Sequence, residues 1–255
     1  MNIPVSIFIM DVSSSSRGGN GYELAEYLDS LVEWMVTAAA GIVPIQAKHR
    51  AGDEIIVIAE GFSTAYILAF YLRSIWKYGG QEPYFGLSFG SIGSKVEEID
   101  PEKWIHPLAK KAREANDLLK QEQTSRPHFK FRIDGNKPSL FDGYGPEFEW
   151  LLNAVLAQQQ EYISNQTELQ KNVFSLYLIF KKQKVVADLL KKTPATISSH
   201  VKKGKGEELL DSCSGLVKIL NSLEEKSCTI TDSPFSIAET LHRSIKETLK
   251  EVFKP

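Results

Sequence analysis

The sequence has few cysteines, no long apolar run and almost no net charge, and each absence excludes a class of protein. Its 255 residues include two cysteines, Cys213 and Cys228, and no C-x-x-C motif. Two thiols build neither a disulfide framework nor a cysteine-rich zinc site, so we expect a reducing, cytoplasmic environment. The most apolar stretch, Ala65–Leu72, is too short to cross a bilayer. The first ten residues lack the basic segment of a signal peptide, and we expect no contact with membranes.

The small net charge conceals two oppositely charged parts of the chain. The 30 basic and 32 acidic residues give a formal charge of −2, which argues against nucleic-acid binding only if the charges are evenly spread. Between Gln170 and Gly206, nine lysines accompany one acid, Asp188, so this segment carries +8 and the remainder carries −10. The nine are Lys171, Lys181, Lys182, Lys184, Lys191, Lys192, Lys202, Lys203 and Lys205. Such segregation indicates an acidic partner, whereas a solvated lysine-rich helix face is the alternative interpretation.

Inside the lysine-rich segment, the pattern predicts a helix-turn-helix over about residues 181–205. Apolar residues at helical spacing predict a first helix over Lys181–Lys192. The Thr-Pro pair that follows interrupts it, because proline lacks an N–H and disfavours helix in the preceding residue. A threonine cap followed by proline then begins a second helix, roughly Pro194–Lys203, whose inner face carries Ile197 and Val201.

The second of these helices offers small polar and basic side chains on its outer face. In a helix-turn-helix, the second helix enters the major groove of double-stranded DNA. Lysines there neutralise phosphates, while Ser, Thr and His side chains reach base edges or backbone oxygens. The candidate DNA-binding residues are Thr196, Ser198, Ser199, His200, Lys202 and Lys203. An ordinary helical hairpin with solubilising lysines is the alternative.

The sequence pattern predicts two domains. Residues 1–145 are expected to form an α/β domain, and residues 146–255 are expected to form an all-α domain that contains the helix-turn-helix. The expected elements of the first domain are strand Val5–Asp11, helix Gly21–Ala40, strands Ile42–Lys48 and Glu54–Ala59, a helix from Ser63 to Tyr78, strand Tyr84–Ser91, helix Pro107–Gln123 and strand His128–Ile133. The order strand–helix–strand–strand–helix–strand is that of a ferredoxin-like sandwich, with helices on one face of the sheet. The whole chain is thus expected to be α+β.

Two aspartates in the first domain are candidate ligands for Mg²⁺. In the expected topology the first strand lies beside the hairpin, so Asp11 at the end of that strand comes close to Asp53 at the hairpin tip. Paired carboxylates without a fixed counter-charge hold Mg²⁺ for phosphate chemistry. Alternatively, Asp11 caps the following loop and Asp53 is an ordinary turn residue.

Four short motifs resemble those of the class III nucleotide cyclases and their GGDEF relatives. They are IFIMDV at 7–12, AGDEIIVI at 51–58, GLSFGSI at 86–92 and PLAKKAREANDLL at 107–119. The same motifs followed by a helix-turn-helix resemble the SatD family of bacterial proteins more closely. The stretch Asp11–Arg17 is similar to the D-[IV]-x-x-S-R strand end of that family. The resemblance implies a cyclase-type domain in which Asp11 and Asp53 bind Mg²⁺ and, in an active cyclase, Arg113 contacts a phosphate.

The sequence departs from the cyclase pattern at positions that matter for catalysis. His49 stands where class III cyclases usually have a base-selecting lysine, and Ala109 stands where they have an asparagine that holds the ribose. Positioning supplies most of the rate in phosphoryl chemistry, so these departures argue against a competent cyclase. They favour a degenerate domain that senses a nucleotide or mediates dimerisation.

We therefore expect a cytoplasmic DNA-binding regulatory protein that acts as a homodimer. No cofactor is assigned to it with certainty, and Mg²⁺ is the one candidate. One alternative is a divergent Mg²⁺-dependent cyclase that makes a cyclic nucleotide from ATP or GTP, and another is an adaptor whose modules bind only protein. Residues Gly86–Gly90 also match the G-x-S-x-G nucleophile elbow of serine hydrolases. That motif requires a helix directly after the serine, whereas strand is expected there.

Overall fold

The structure is a computed structural model that describes residues 2–13, 21–50, 52–122, 126–133, 143–227 and 232–253. These residues form five strands and nine α-helices, which confirms the expected α+β class. The sequence also predicts a turn at Asp134-Gly135-Asn136 after the last strand. This turn, Arg17 and Cys228 lie outside the described residues.

The N-terminal half contains a five-stranded mixed sheet. Its elements are β1 (Ile3–Val12), α1 (Gly21–Ala39), β2 (Ile45–Arg50), β3 (Glu54–Glu60), α2 (Thr64–Ser74), β4 (Pro83–Ile92), α3 (Pro107–Gln121) and β5 (Phe129–Phe131). The strand order is β2-β3-β1-β4-β5, and every neighbouring pair is antiparallel except β4 and β5, which are parallel. In this register Asp11 of β1 pairs with Glu54 of β3, so the end of β1 lies beside the tip of the β2–β3 hairpin.

Helices cover both faces of the sheet. Phe8 and Met10 of β1 pack in the main core with α1 and α2, whereas Ile7 and Ile9 face a second apolar cluster that includes Leu108 of α3. The expectation of helices on one face is therefore right for α1 and α2 and wrong for α3. Glycines in β4 allow α3 to approach the second face closely.

At Gly86 the backbones of β4 and α3 come within touching distance. A Cβ atom at this position would lie 2.1 Å from the carbonyl oxygen of Ala112 and 2.4 Å from the amide nitrogen of Asn116. Glycine is required here because no side chain fits between the strand and the helix. The carboxamide of Asn116 completes the contact by donating to the carbonyls of Ile9 at 3.0 Å and Tyr84 at 3.1 Å.

The C-terminal half is all-helical in the described residues. Its helices are α4 (Gly145–Ser164), α5 (Glu168–Phe180), α6 (Gln183–Leu190), α7 (Pro194–Lys203), α8 (Gly206–Ser227) and α9 (Pro234–Val252). The sequence predicts one or two helices over residues 147–180, and the chain forms two. Thr167 separates them with a capping box, because its side chain accepts the N–H of Gln170 while the Gln170 side chain accepts the N–H of Thr167.

Helix α2 is buried on every side. All nine residues from Thr64 to Leu72 are buried, which is the pattern of a helix enclosed between two layers. The sequence predicts a Ser63 or Thr64 cap, but the Ser63 side chain makes no capping bond. The hydroxyl of Ser6 in β1 accepts the N–H of Ala65 at 2.9 Å and so performs this role from the neighbouring strand.

The main core continues from the N-terminal half into the C-terminal helices. It joins residues of α1, α2 and the sheet to residues of α4, α5, α8 and α9. Polar contacts follow the same interface, since the indole N–H of Trp34 donates to Thr248 at 3.1 Å and Ser244 donates to the carbonyl of Ala38 at 2.7 Å. Among the described residues, no helix combines the length and apolarity needed to span a membrane.

Candidate functional site

Helices α5, α6 and α7 form a small three-helix unit with its own apolar core. The buried residues of this core are Val173, Leu176, Val186, Ala187, Ile197 and Val201. A three-residue turn, Lys191–Thr193, separates α6 from α7. Ile197 and Val201 are buried, which confirms the inner face predicted for the second helix. The packing therefore leaves the opposite face of α7 directed away from the unit.

Helix α7 begins and ends where the sequence predicts. Its N-cap is Thr193, whose hydroxyl accepts the N–H of Thr196 at 3.2 Å, and Pro194 follows in the first turn. The helix ends at Gly204, whose carbonyl accepts a hydrogen bond from the buried Gln166 side chain at 2.5 Å. Since Gln166 lies just before α5, this bond ties the end of α7 to the start of the unit.

The six candidate DNA-binding residues differ in exposure. Those that are exposed are Ser198, Ser199, Lys202 and Lys203. Thr196 and His200 are half-buried, and the Thr196 hydroxyl lies 2.9 Å from the Thr193 hydroxyl in the cap. The Nδ1 atom of His200 is buried and has no hydrogen-bond partner within the described residues. The outer face of α7 thus presents two hydroxyls and two ammonium groups to solvent.

Most of the lysine cluster carries uncompensated charge. Two of the nine lysines form ion pairs with a glutamate three residues away, Lys171 with Glu168 at 2.9 Å and Lys205 with Glu208 at 2.8 Å. The other seven make no ion pair with any residue that the structure describes, and they are Lys181, Lys182, Lys184, Lys191, Lys192, Lys202 and Lys203. Positive charge therefore remains available on the three-helix unit for an anionic partner.

The second candidate site lies where β1 meets the hairpin. Asp11 pairs with Glu54 in the register, and Asp53 directly precedes Glu54 at the hairpin tip. Burial raises the pKa of the Asp11 carboxyl, Lys120 opposes this shift, and the charges of Glu54 and Asp53 raise that pKa further. The structure thus brings Asp11 and Asp53 close enough for their carboxylates to repel each other.

Basic side chains already neutralise the two inner carboxylates of this site. The ammonium group of Lys120 lies 2.7 Å from Asp11, and Arg113 donates two hydrogen bonds to Glu54, at 2.8 and 2.9 Å. Burial acts to raise the pKa of Glu54, but Arg113 and Arg50 together hold it below its ordinary value. A Mg²⁺ ion at Asp11 would therefore compete with Lys120 for the charge of this carboxylate. In the described part of the chain, no three His, Cys, Asp or Glu side chains form a group suited to a metal ion.

Two positions that depart from the cyclase pattern are engaged in structural contacts. The Nδ1 atom of His49 lies 2.9 Å from a carboxylate oxygen of Asp29 in α1. Ala109 packs at the edge of the apolar cluster under α3. Neither side chain can bind a base or a ribose in the way that lysine or asparagine would.

The serine-hydrolase alternative is excluded by the position of Ser88. This residue lies in the middle of β4 and is fully buried, with its neighbours Gly86 and Gly90 covered by α3. A nucleophile elbow must instead expose its serine on a sharp strand-to-helix turn.

Comparison with known proteins adds no relative, because the chain matches no protein-family model, no curated protein and no solved structure. The interpretation of both sites therefore depends on the side chains described above. Seven lysines of the unit α5–α7 and its turns form no ion pair with the described residues, whereas Asp11 and Glu54 are paired with Lys120 and Arg113.

Sequence reasoning missed two members of the carboxylate site, Lys120 and Glu54. Lys120 follows Arg113 by seven residues, which is two turns of α3, so both basic groups lie on the face that covers the sheet. Glu54 is part of the Gly-Asp-Glu hairpin motif. Its pairing with Asp11 in the sheet places both carboxylates beneath the face of α3 that carries Arg113 and Lys120. The spacing of the two cations on one helix was a usable indication that the carboxylates have counter-charges.

Proposed function

We propose that this chain is a DNA-binding regulatory protein that places α7 in the major groove of duplex DNA. The observation that carries the proposal is the outer face of α7, with the exposed pairs Ser198–Ser199 and Lys202–Lys203 on a helix whose inner face is fixed by packing. A helix presented in this way can offer hydroxyls to base edges and ammonium groups to phosphates.

The positions of the other lysines support the same proposal. Lys191 and Lys192 lie in the turn before α7, and Lys182 and Lys184 lie at the start of α6. Lysines around a groove-binding helix would contact the phosphates that flank it and release counterions. This arrangement accounts for the segregation of +8 in a chain whose net charge is −2.

The N-terminal half supports a degenerate, ferredoxin-like domain of the cyclase type. The antiparallel order β2-β3-β1-β4, with α1 and α2 on one face, agrees with such a sandwich. Arg113 and Lys120 are bound to carboxylates of the same domain and are therefore not free to bind a phosphate. Their ion pairs support the interpretation that the domain has lost catalytic activity. In this proposal the chain is a SatD-like protein whose first domain senses a nucleotide or mediates homodimer formation.

Salt-dependent DNA binding tests the proposal. Fluorescence anisotropy with a labelled duplex of mixed sequence should show binding that weakens as salt increases, because each phosphate contact contributes about −0.9 to the slope of log K against log salt. We expect the double variant Lys202→Glu plus Lys203→Glu to bind at least about ten-fold more weakly, with a slope smaller by about two.

A matched variant makes this test specific. Lys95 and Lys110 are exposed in the N-terminal half, and the double variant Lys95→Glu plus Lys110→Glu changes the total charge by the same amount. This control should bind DNA nearly as well as the wild type. Equal losses in both double variants, or an absence of binding at low salt, would contradict the proposal and favour an adaptor that binds only protein.

The second candidate function is a divergent Mg²⁺-dependent nucleotide cyclase. The observation in its favour is the proximity of Asp11 to Asp53, and the ion pairs of Asp11 and Glu54 weigh against it. Incubation with ATP or GTP and Mg²⁺, followed by chromatography, tests it directly. A cyclic nucleotide that the wild type makes and the Asp53→Ala variant does not would establish this activity.

A further inference from the structure

A cleft separate from both candidate sites opens between the two halves of the molecule. It has a volume of about 690 Å³ and lies between α2, α8, α9 and the C-terminal end of α5. This volume is within the range of about 300–1,000 Å³ that small-molecule sites occupy. No residue of the lysine-rich face of α7 and no residue of the carboxylate site lines it.

The wall of the cleft combines apolar and aromatic side chains with cations. The apolar part is formed by Phe70, Leu178, Leu210, Val217, Phe235 and Ala238. Beside them lie Tyr71 and His242, whose phenolic oxygen and Nδ1 are 3.2 Å apart. A wall of this composition suits a ligand with a flat apolar body and a few polar groups.

Four cations line this wall, Lys181, Lys218, Arg243 and Lys246, and of these Lys181 and Lys246 lie close enough for the charge of Lys246 to lower the pKa of Lys181. Lys181 ends α5 and Lys246 lies in α9, and neither makes an ion pair with any residue that the structure describes. Burial lowers the pKa of both ammonium groups, and the charge of Lys246 lowers that of Lys181 further. An anion bound between them would relieve both effects, because an opposite charge favours the protonated amine.

The carboxylates of the cleft compensate these lysines only in part, because the charges of Glu207 and Asp211 raise the pKa of Lys181 while burial and Lys246 still hold it below its ordinary value. Burial lowers the pKa of His242 to about 4, and Lys246 and Lys181 add to this shift, so the imidazole is neutral at pH 7. Burial raises the pKa of the Cys213 thiol to about 12, so it too is neutral. The carboxylates of Asp211, Glu207 and Glu239 are exposed, and Glu207 accepts a hydrogen bond from the Tyr177 hydroxyl at 2.7 Å.

We propose that this cleft binds a small organic anion with an aromatic body, whose acidic group lies between Lys181 and Lys246. The aromatic part of the ligand packs against Phe70 and Phe235. The anionic part neutralises two ammonium groups that form no ion pair within the described residues.

The position of Lys181 gives this site a regulatory role, which rests on the DNA-binding function proposed above. Lys181 adopts a left-handed backbone conformation, with φ of 55°, between the last residue of α5 and the N-cap of α6. An anion that holds its side chain therefore acts on the junction from which α6 and α7 continue. Occupancy of the cleft is expected to change the orientation of the three-helix unit and hence the affinity for DNA.

Two dyes that differ only in charge test the binding site. 1-Anilinonaphthalene-8-sulfonate is an aromatic anion, and N-phenyl-1-naphthylamine is the same ring system without the sulfonate. We expect saturable fluorescence enhancement by the sulfonate in the wild type. A hydrogen bond to a charged group contributes about ten-fold or more to affinity. Lys246→Gln and Lys181→Gln should therefore each weaken binding of the sulfonate dye about ten-fold. Both variants should change the affinity of the uncharged dye by less than about two-fold.

Matched variants show whether the loss is local. Lys250→Gln removes the same charge one turn further along α9, outside the cleft, and should leave the affinity for the sulfonate unchanged. Lys246→Arg keeps the charge and should retain most of the affinity, and circular dichroism confirms that each variant is folded. The proposal is overturned if the sulfonate does not bind, if neither glutamine variant weakens it, or if both dyes lose affinity equally.

The regulatory part has its own measurement. Anisotropy with labelled duplex, recorded without the sulfonate and at a concentration that occupies most of the wild type but little of Lys246→Gln, should change the DNA affinity of the wild type and leave that of the variant nearly unchanged. Unchanged DNA affinity at full dye occupancy would overturn the regulatory part alone. A wild type that binds the dye but never binds DNA would overturn the DNA-binding function while the anion site stands.

Discussion

Glu224 of α8 shows how a single buried residue makes the stability of this protein depend on pH. Its side chain is 3% exposed, and one carboxylate oxygen accepts the N–H of Phe62 at 2.6 Å. Burial raises the pKa of Glu224 to about 7, although the bond from Phe62 acts in the opposite direction. The folded protein therefore holds a proton at this position over a pH range in which the unfolded chain has lost it.

The direction of the pH dependence follows from this difference. The protonated carboxyl is favoured in the folded state, so the stabilisation is fully present below about pH 4.5 and is lost as the pH rises to about 7. At about 1.4 kcal/mol per pKa unit, the free energy of unfolding should fall by up to about 3 kcal/mol across this range. Urea unfolding of the wild type and of Glu224→Gln at pH 5 and pH 8 measures the effect. The glutamine retains an acceptor for Phe62 but cannot ionise, so the pH dependence of the variant should be flatter; parallel curves would contradict this account.

At the scale of whole elements, three lysines occupy backbone conformations that favour glycine. Lys181, Lys191 and Lys205 have φ values of 55°, 52° and 55°, and each lies at an end of one of the helices α5 to α8. A left-handed conformation costs a residue with a Cβ about 1 kcal/mol relative to glycine. The ammonium groups are therefore placed on these turns at some cost in stability.

Glycine substitution at the turn before α7 separates stability from DNA binding. Lys191→Gly should raise the free energy of unfolding by about 1 kcal/mol because it removes the strain. Lys192→Gly removes the same charge at a position with ordinary φ, so it should lower stability slightly. Both variants should reduce the salt slope of DNA binding by about one if both lysines contact phosphates. Chemical unfolding and anisotropy on the two proteins provide the comparison, and an equal loss of stability in both would be inconsistent with strain at Lys191.

The packing of α3 on β4 gives a second prediction about elements. Gly86→Ala would place a Cβ 2.1 Å from the backbone of α3, and a backbone atom cannot move away without shifting the helix. We expect a loss of stability above about 3 kcal/mol, or failure to fold. Gly93→Ala is the matched control, because a Cβ there meets nothing within 4 Å. It should change the free energy of unfolding by less than about 1 kcal/mol, as measured by urea titration.

Local chemistry explains which elements could be predicted from the sequence. The bounds of α7 follow from a threonine cap, a proline and apolar residues four apart, and all of these act within the helix. The placement of α3 could not be predicted in this way, because it depends on the contact between Gly86 and Ala112, which are distant in the sequence. The same is true of α2, whose cap is Ser6 from a strand 59 residues earlier. In the candidate sites, the exposed face of α7 followed from periodicity, whereas the ion pairs around Asp11 depend on tertiary contacts.

At the scale of the whole molecule, the charge is divided between two parts that share one apolar core. The lysine-rich unit α5–α7 has a small core of its own, but α5 also contributes Phe174 and Leu178 to the main core. In the same core, α2 lies between the sheet and the C-terminal helices. A change at the cleft lined by α2, α5, α8 and α9 is thus mechanically connected to the helix proposed to bind DNA.

This continuous core predicts that the two halves unfold together and that the first cannot fold alone. A fragment of residues 1–145 would expose the side of α2 on which Phe70 contacts Phe174 and which packs against α8, as well as the surface of α1 against which α9 packs. Uncovering several large apolar side chains costs about 1.5–3 kcal/mol for each, which exceeds the total stability of a typical domain. The fragment should therefore be aggregated or lack near-ultraviolet circular dichroism, whereas the full chain should give one cooperative thermal transition at all wavelengths. The control is a fragment of residues 146–255, which keeps the small core of α5–α7 and should retain helical signal. Two separate transitions in the full chain, or a folded N-terminal fragment, would show that the contact between the halves is weaker than the burial of α2 implies. The proposed coupling between the cleft and DNA binding would then lose its physical basis.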